Sequence, residues 1–314
     1  MAKSVFKGYD PGFIDEHEVP LPALSLAQKK DTEVLNDNGG LLEYVNYSVS
    51  LSPSRRFPYF TASNIDGNLF KKAPRKDNWR RDDRIAKEFQ WGPELYKAKK
   101  SDFDKGHMTK REDVQWGRTI AVASKAADST FFYTNAVPQH ANLNQKIWRS
   151  LEDYILHTET KENGLKVSVF TGPVLSNKDP FFVTEVSGEQ LRIPTIFWKV
   201  VVYPKSDGKL YRVGFLMSQA TLLKENGIAR ETPPEGLEST EDRLFMEFDD
   251  ADTYQVNVST IEELTRLKMP EAEETYKDDR KIKLILREID VTESSLESTN
   301  VLDQLGFSIS GISL

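Results

Sequence analysis

Apolar and polar positions along the chain predict several strands and a few helices. Leu42 to Leu51 alternates and is rich in aromatic and branched residues, which predicts one strand. Phe57 to Ser63 predicts a second, ended by the hairpin-type turn Asn64-Ile65-Asp66-Gly67. Thr130 to Asn135 reads as a strand. Thr119 to Ala123 fits helix or strand, and periodicity does not decide between them. Asn142 to His157 predicts a helix, with Asn142 as its cap and Ile147, Leu151, Tyr154 and Ile155 as its apolar stripe. Leu165 to Thr171, Ile193 to Tyr203 and Tyr211 to Met217 predict further strands, the second apolar and β-branched as in a buried strand. Ser259 to Leu267 predicts a short helix with Ser259 as cap and Glu262 at capping-box spacing, and Ile282 to Ile289 a last strand.

The remaining stretches lack such periodicity. Residues 1–40 carry Pro11, Pro20, Pro22 and the turn signal Asn38-Gly39-Gly40, and read as an extended arm or irregular wrap. Residues 68–103 read as a charged surface excursion, and Glu225 to Asp242 as an exposed polar loop. Residues 271–314 begin acidic and end rich in Ser and Thr, with no assignable role. There are no internal repeats.

Composition narrows the classes. The 314 residues are 38% hydrophobic and 29% charged, an ordinary globular composition with enough apolar residues for a core. No apolar run approaches the roughly 18 residues that span a bilayer, so no membrane is expected. Met1 to Phe6 has one lysine and no apolar core, so no secretory signal is visible, leaving the cytoplasm as the default unless the chain is exported or trimmed. Absence of cysteine excludes disulfides, zinc-thiolate sites and thiol nucleophiles.

Charge changes the picture. The net charge is −7, yet Ser54 to Arg118 holds 17 Lys or Arg against 10 Asp or Glu. That local +7 leaves −14 on the remainder. A basic segment on an acidic protein suits an enzyme that draws a phosphate backbone to one face; the plainer alternative is a solvated charged surface.

The basic segment contains Asp104-Lys105-Gly106-His107. His107 is a candidate general base, because imidazole titrates near neutral pH. Gly106 would let the backbone turn or a phosphate approach closely, and Asp104 could orient the turn or the histidine. On the helix that follows, Asn144 and Glu152 are eight residues apart, about 12 Å along the axis and about 80° in azimuth. They cannot easily touch one small ion together. The natural division makes Asn144 a direct ligand and Glu152 an acceptor for metal-bound water, an arrangement that suits Mg²⁺. His17, His140 and His157 lack metal spacing, and phosphate-binding glycine loops are absent.

These strings carry a resemblance. Phe103-Asp104-Lys105-Gly106-His107-Met108 resembles the Asp-Arg-Gly-His motif of the DNA/RNA non-specific endonucleases, the branch of the ββα-metal (His-Me finger) nucleases that includes endonuclease G. Thr134-Asn135-Ala136-Val137-Pro138-Gln139 and the block from Leu143 to Glu152 are similar to two further family motifs in the same order. Shorter echoes at Asn64 to Gly67, Thr171 to Val174, Ile193 to Val200 and Ile261 to Thr265 extend the similarity over about residues 40–270.

The resemblance implies an α+β fold of the ββα-metal type, with a central, mostly antiparallel sheet flanked by helices. It implies an N-terminal extension over 1–40, a nuclease domain over 41–270 and a C-terminal extension over 271–314. His107 would activate water. Asn144 would be the direct ligand to Mg²⁺, with Mn²⁺ as the alternative ion, and Glu152 would hold the metal's water shell. Asn135 would fix the histidine or the phosphate. Arg75 fits the family's upstream phosphate-binding arginine best, with Arg80 and Arg81 close by. Lys105 departs from the motif's arginine, keeping the charge and losing the bidentate fork. DNA and RNA are the implied substrates, and a homodimer the implied assembly. Two other classes compete: a nuclease-like binding module without chemistry, and an interaction protein that uses 68–103 as its contact surface.

Overall fold

The computed structural model describes residues 8–35, 40–141, 160, 164–230, 253–277, 282–288 and 307–310. In chain order the elements are α1 (Leu26–Thr32), β1 (Leu41–Tyr44), β2 (Tyr47–Ser52), β3 (Phe57–Asp66), α2 (Pro93–Tyr96), β4 (Phe103–His107), α3 (Ile120–Ser129) and β5 (Ala136–His140). There follow β6 (Lys166–Pro173), β7 (Phe181–Phe182), β8 (Ile196–Pro204), β9 (Leu210–Ser218), α4 (Ala220–Glu225), β10 (Ala229–Arg230), β11 (Thr253–Val256), α5 (Val258–Thr265), β12 (Glu273–Glu274), β13 (Ile282–Glu288) and β14 (Phe307–Ser310). This is the expected α+β class. No helix among the described residues is long and apolar enough to cross a membrane.

One sheet organises the molecule, in the order β1-β2-β3-β6-β8-β9-β11-β13-β14. Every pair along that path is antiparallel, and among the described residues only the short β12 joins the sheet in parallel, against β9. The central strands are apolar on both faces because both faces are covered. Alternation sends Phe197 and Val201 of β8 to one side, and Ile196, Trp198, Val200 and Val202 to the other. Burying each large aliphatic or phenyl side chain contributes about 1.5–3 kcal/mol, so neither face can be left to water. On the first face pack β4, β5, α2 and α4, through Phe103, Val137, Leu95 and Leu223. On the second lie the segment around Tyr9, Ile14 and Val19, and Val258 and Ile261 of α5.

Residues 8–35 close against the sheet with a helix of their own. Ser25 and Gln28 form a capping box on α1, and Gln28 Nε2 donates to Thr265 O at 2.9 Å, tying α1 to the end of α5. At the other edge, β13 pairs with β11, and β14 with β13.

Several sequence expectations need correction. Leu42 to Leu51 is a hairpin rather than one strand: the chain reverses at Val45-Asn46, where Asn46 takes a φ of 68°. The side chain of Asn46 donates to Val114 O and Trp116 O, so the turn is held by distant backbone that periodicity does not report. Asn64 to Asp66 is no hairpin turn, because β3 continues through it to pair with β6. Thr119 to Ala123 resolves as the start of α3, capped by Thr119. Thr130 to Asn135 is not a strand. Phe132 makes a single bridge to Arg80, Tyr133 to Asn135 is a 3-10 turn, and the strand starts at Ala136. In α5 the cap position is Asn257, not Ser259, and Glu262 accepts from Met269 N at 2.8 Å instead of closing a capping box. The predicted helix from Asn142 to His157 and most of the Glu225–Asp242 loop lie outside the described residues.

Candidate active site

β4 and β5 form a separate two-stranded ladder on the first face of the sheet. Their register sets Asp104 opposite Gln139, Lys105 opposite Pro138, Gly106 opposite Val137 and His107 opposite Ala136. A clasp just past His107 fixes the end of β4. Met108 N donates to Asn135 O at 2.9 Å, Thr109 N to Asn135 Oδ1 at 2.8 Å, and Asn135 Nδ2 to Thr109 O and Thr130 O at 3.0 Å each. Asn135 is fully buried. Its amide holds the backbone just past His107, and its polar atoms are taken up by backbone.

The His107 imidazole stands among aromatic rings. Trp79 lies 4.6 Å from it centre to centre, and Phe131 5.1 Å away edge-on, while Trp79 and Phe131 meet at 5.3 Å. The imidazole Nε2 is buried and has no hydrogen-bond partner. Burial, and next the positive charge of Arg75, hold its pKa down to about 4; Glu112 and Asp77 pull the other way. The ring is therefore neutral near pH 7, with a ring nitrogen free for a small ligand.

The three upstream arginines separate cleanly. Arg75 is exposed, pairs with Asp77 at 2.6 Å and lies 6.0 Å over the Phe131 ring, on the imidazole's side. An exposed pair of this kind contributes about 0–1 kcal/mol, so the guanidinium is readily given up to a phosphate. Arg80 sits 4.0 Å over Phe132, on the other side of the chain. Arg81 is ion-paired with Glu94 and packs over Gly92.

Lys105 shares the His107 face of β4. Its Nζ is 5.7 Å from the Trp79 ring and 5.6 Å from Tyr96. Asp104 projects to the opposite face, three residues from His107, so strand alternation does not bring its carboxylate to the imidazole. Gly106 has a packing task that the sequence did not suggest. Its backbone is an ordinary strand, but a Cβ there would lie 2.1 Å from Gln139 Oε1. Gln139 is 1% exposed, with both amide atoms unpaired.

Four contributors escaped the sequence reading. Trp79 and Phe131 wall the imidazole. Arg111, also buried, donates to Ala73 O at 2.7 Å and Pro74 O at 3.0 Å, anchoring the segment that presents Arg75. Gln139 appeared only as a motif letter. Each acts through tertiary contact, and apart from the place of Gln139 in the motif no local pattern marks them. Asn144 and Glu152, the expected metal ligands, lie outside the described residues. Among the described residues no group of three His, Asp or Glu could hold a metal ion.

The family model described as DNA/RNA non-specific endonuclease matches residues 29–275. An uncharacterized protein y4fB of Sinorhizobium fredii (strain NBRC 101917 / NGR234) is 36% identical over 225 residues, 68% of this chain and 32% of that protein. Mitochondrial endonuclease G of Bos taurus is 30% identical over 156 residues, covering 46% of this chain and 48% of that one. Nuclease C1 of Cunninghamella echinulata var. echinulata is 29% identical over 204 residues, 61% and 74% of the two chains. The match thus spans 32% and 48% of the first two relatives' own length. In fold, the chain is similar to EndoG as solved in the EndoG/EndoGI complex, with a TM-score of 0.51 and 21% identity over 72% of this chain and 84% of that one.

Proposed function

Because the chain belongs to the DNA/RNA non-specific endonuclease family, we propose that it is a metal-dependent endonuclease that hydrolyses phosphodiester bonds in DNA and RNA with little sequence preference. The observation that carries this reading is the neutral imidazole of His107, whose buried Nε2 has no partner and whose flank carries Arg75. In this reading the imidazole takes a proton from the attacking water. Arg75 leaves Asp77 and binds a non-bridging oxygen of the scissile phosphate. That phosphate also offsets the Arg75 charge that lowers the basicity of His107, so substrate binding itself strengthens the base. Asn135 and Arg111 act at one remove, holding the backbone on either side of the pair.

Magnesium, or manganese, would be held by Asn144 directly and by Glu152 through water, a donor set of hard oxygens that fits either ion. The imidazole does not belong to that set, in keeping with its role as base. When bound, the ion supplies charge compensation on the phosphate and leaving oxygens. Contacts to phosphate and sugar carry no base identity, which supports cleavage of both nucleic acids.

The test is a metal series on supercoiled plasmid and on RNA, using wild type and Asn144→Ala. Both substrates should be cut with Mg²⁺ or Mn²⁺ and spared in chelator, and the variant should lose most activity on both. Undiminished cutting in chelator would refute the metal, and no cutting under any metal would favour the binding-module alternative.

A further inference from the structure

The segment that presents Arg75 is exposed, cationic and anchored from beneath. Residues 71–79 form no helix or strand, and Lys72, Pro74, Arg75, Lys76, Asp77 and Asn78 all face solvent. Within it Ala73 is buried, and Trp79, half-buried, turns its ring to His107. Its backbone is nevertheless fixed at several points. Lys71 N donates to Gln115 O at 3.0 Å, and Gln115 Nε2 donates to Lys71 O at 2.8 Å. Arg111 donates to Ala73 O and Pro74 O. Just beyond Trp79, Arg80 N donates to Phe131 O at 3.0 Å. Gln115 is 1% and Arg111 6% exposed, so two buried polar side chains hold backbone whose own side chains bury little. Core packing does not account for that anchoring; presentation of the exposed side chains does.

The charges on this segment are unbalanced. Lys71, Lys72, Arg75 and Lys76 stand against one acid, Asp77, in a protein whose net charge is −7. Asp77 is engaged by Arg75. Among the described residues the ammonium groups of Lys72 and Lys76 have no hydrogen-bond or ion-pair partner. The segment also lies beside the candidate base: the charge of Arg75 acts on the His107 imidazole, and its guanidinium lies 6.0 Å over the Phe131 ring that walls it.

We propose that residues 71–76 are a docking surface for the sugar-phosphate backbone, with Lys72 and Lys76 drawing in the nucleotides that flank the phosphate at Arg75, an inference that rests on the endonuclease reading above. Lys76 adjoins Arg75, and Lys72 precedes it by three residues on the same anchored stretch. Charges within a Debye length, about 8 Å in physiological salt, act on the same phosphates without direct contact. Each phosphate neutralised releases counterions, so the attraction depends on salt and ignores base sequence. The anchors at Arg111 and Gln115 lower the ordering cost of binding, because the backbone is already held. The surface gives affinity rather than chemistry.

The experiment measures binding of a labelled duplex to the full chain in chelator across a salt series, and plasmid cleavage in Mg²⁺. It compares wild type, Lys72→Gln, Lys76→Gln, the double Gln variant and the double variant Lys72→Arg with Lys76→Arg. Each Gln substitution should lower the slope of log affinity against log salt by about one. It should weaken binding about fivefold at physiological salt, equally for unrelated sequences. The double Arg variant should bind as wild type does, which separates charge from any change in fold. In cleavage KM should rise while kcat holds, since neither lysine touches the reacting atoms. An unchanged slope in the double Gln variant overturns the proposal, and so does a double Arg variant that binds as weakly as the double Gln variant. Wild type that binds with these slopes yet cuts in no metal supports the docking surface and overturns the endonuclease reading. Wild type that cuts, with an unchanged slope in the double Gln variant, does the reverse.

Discussion

Gly106→Ala should destabilise the protein through Gln139, and shortening Gln139 should rescue it. A Cβ at position 106 would lie 2.1 Å from Gln139 Oε1, 2.2 Å from Cδ and 2.5 Å from Cγ. Ordinary carbon contacts are about 3.5–4.0 Å, so the amide would have to retreat by more than about 1 Å. Gln139 is 1% exposed and has no open side to retreat into. Overpacking of this kind costs typically 1–3 kcal/mol, and a clash with three atoms of a trapped side chain belongs at the upper end, about 2–3 kcal/mol. Gln139→Ala removes those three atoms. It also removes two buried amide atoms that have no partner, a penalty of about 1–3 kcal/mol that offsets the cavity left behind. Gln139→Ala should therefore lie within about 1 kcal/mol of wild type, and the double variant close to it. The expected coupling is about 2 kcal/mol, read from urea midpoints at constant m-value. Additive effects would refute the packing argument. So would an undisturbed Gly106→Ala fold with lost nicking, which would return the glycine to the role of admitting phosphate.

Asn135→Ala should cost about 3 kcal/mol or more, because Thr109 N–H and two carbonyl groups lose buried partners; urea denaturation measures it, and a cost below about 1 kcal/mol would contradict the clasp. Arg111→Met should lower activity with little change in far-UV circular dichroism, since it frees the Ala73-Pro74 backbone that presents Arg75; wild-type nicking would dismiss that anchor. The pH dependence of stability should carry the mark of His107. Unfolded, it takes up a proton as pH falls through about 6.5; folded, it does so only near pH 4. In that window the unfolded state binds more protons, so stability is full above about pH 6.5 and falls as pH drops toward 4. His107→Asn should flatten this part of the urea midpoint profile, and an unaltered profile would show that burial does not depress the group.

The sheet was legible where one physical signal dominated. Ile193 to Tyr203 and Tyr211 to Met217 read as strands because both faces are covered; the strands found run Ile196–Pro204 and Leu210–Ser218, the first starting three residues later than the pattern put it. The pattern failed where distant partners decide the backbone. Val45-Asn46 reverses the chain because Asn46 is held by Val114 and Trp116, and Phe131 and Phe132 look β-like because one ring is buried and the other half-buried, not because they pair in a strand. In the site, order and spacing of motifs singled out His107; of the three upstream arginines, Arg75 lies over Phe131, Arg80 over Phe132, and Arg81 pairs with Glu94, a difference that sequence spacing does not report. Trp79 escaped notice because the 68–103 segment has no period, and its contact with His107 depends on the bridge between Arg80 and Phe132. The clasp by Asn135 and the clash reserved by Gly106 likewise exist only across the β4–β5 ladder.

The most direct measurement is nicking of supercoiled plasmid in Mg²⁺ by wild type and by His107→Gln, each with its urea midpoint recorded. The account predicts nicking by wild type, a loss of at least about 10²-fold in the variant, the scale of a positioned general base, and a fold that survives. A folded His107→Gln protein that nicks at the wild-type rate would contradict it.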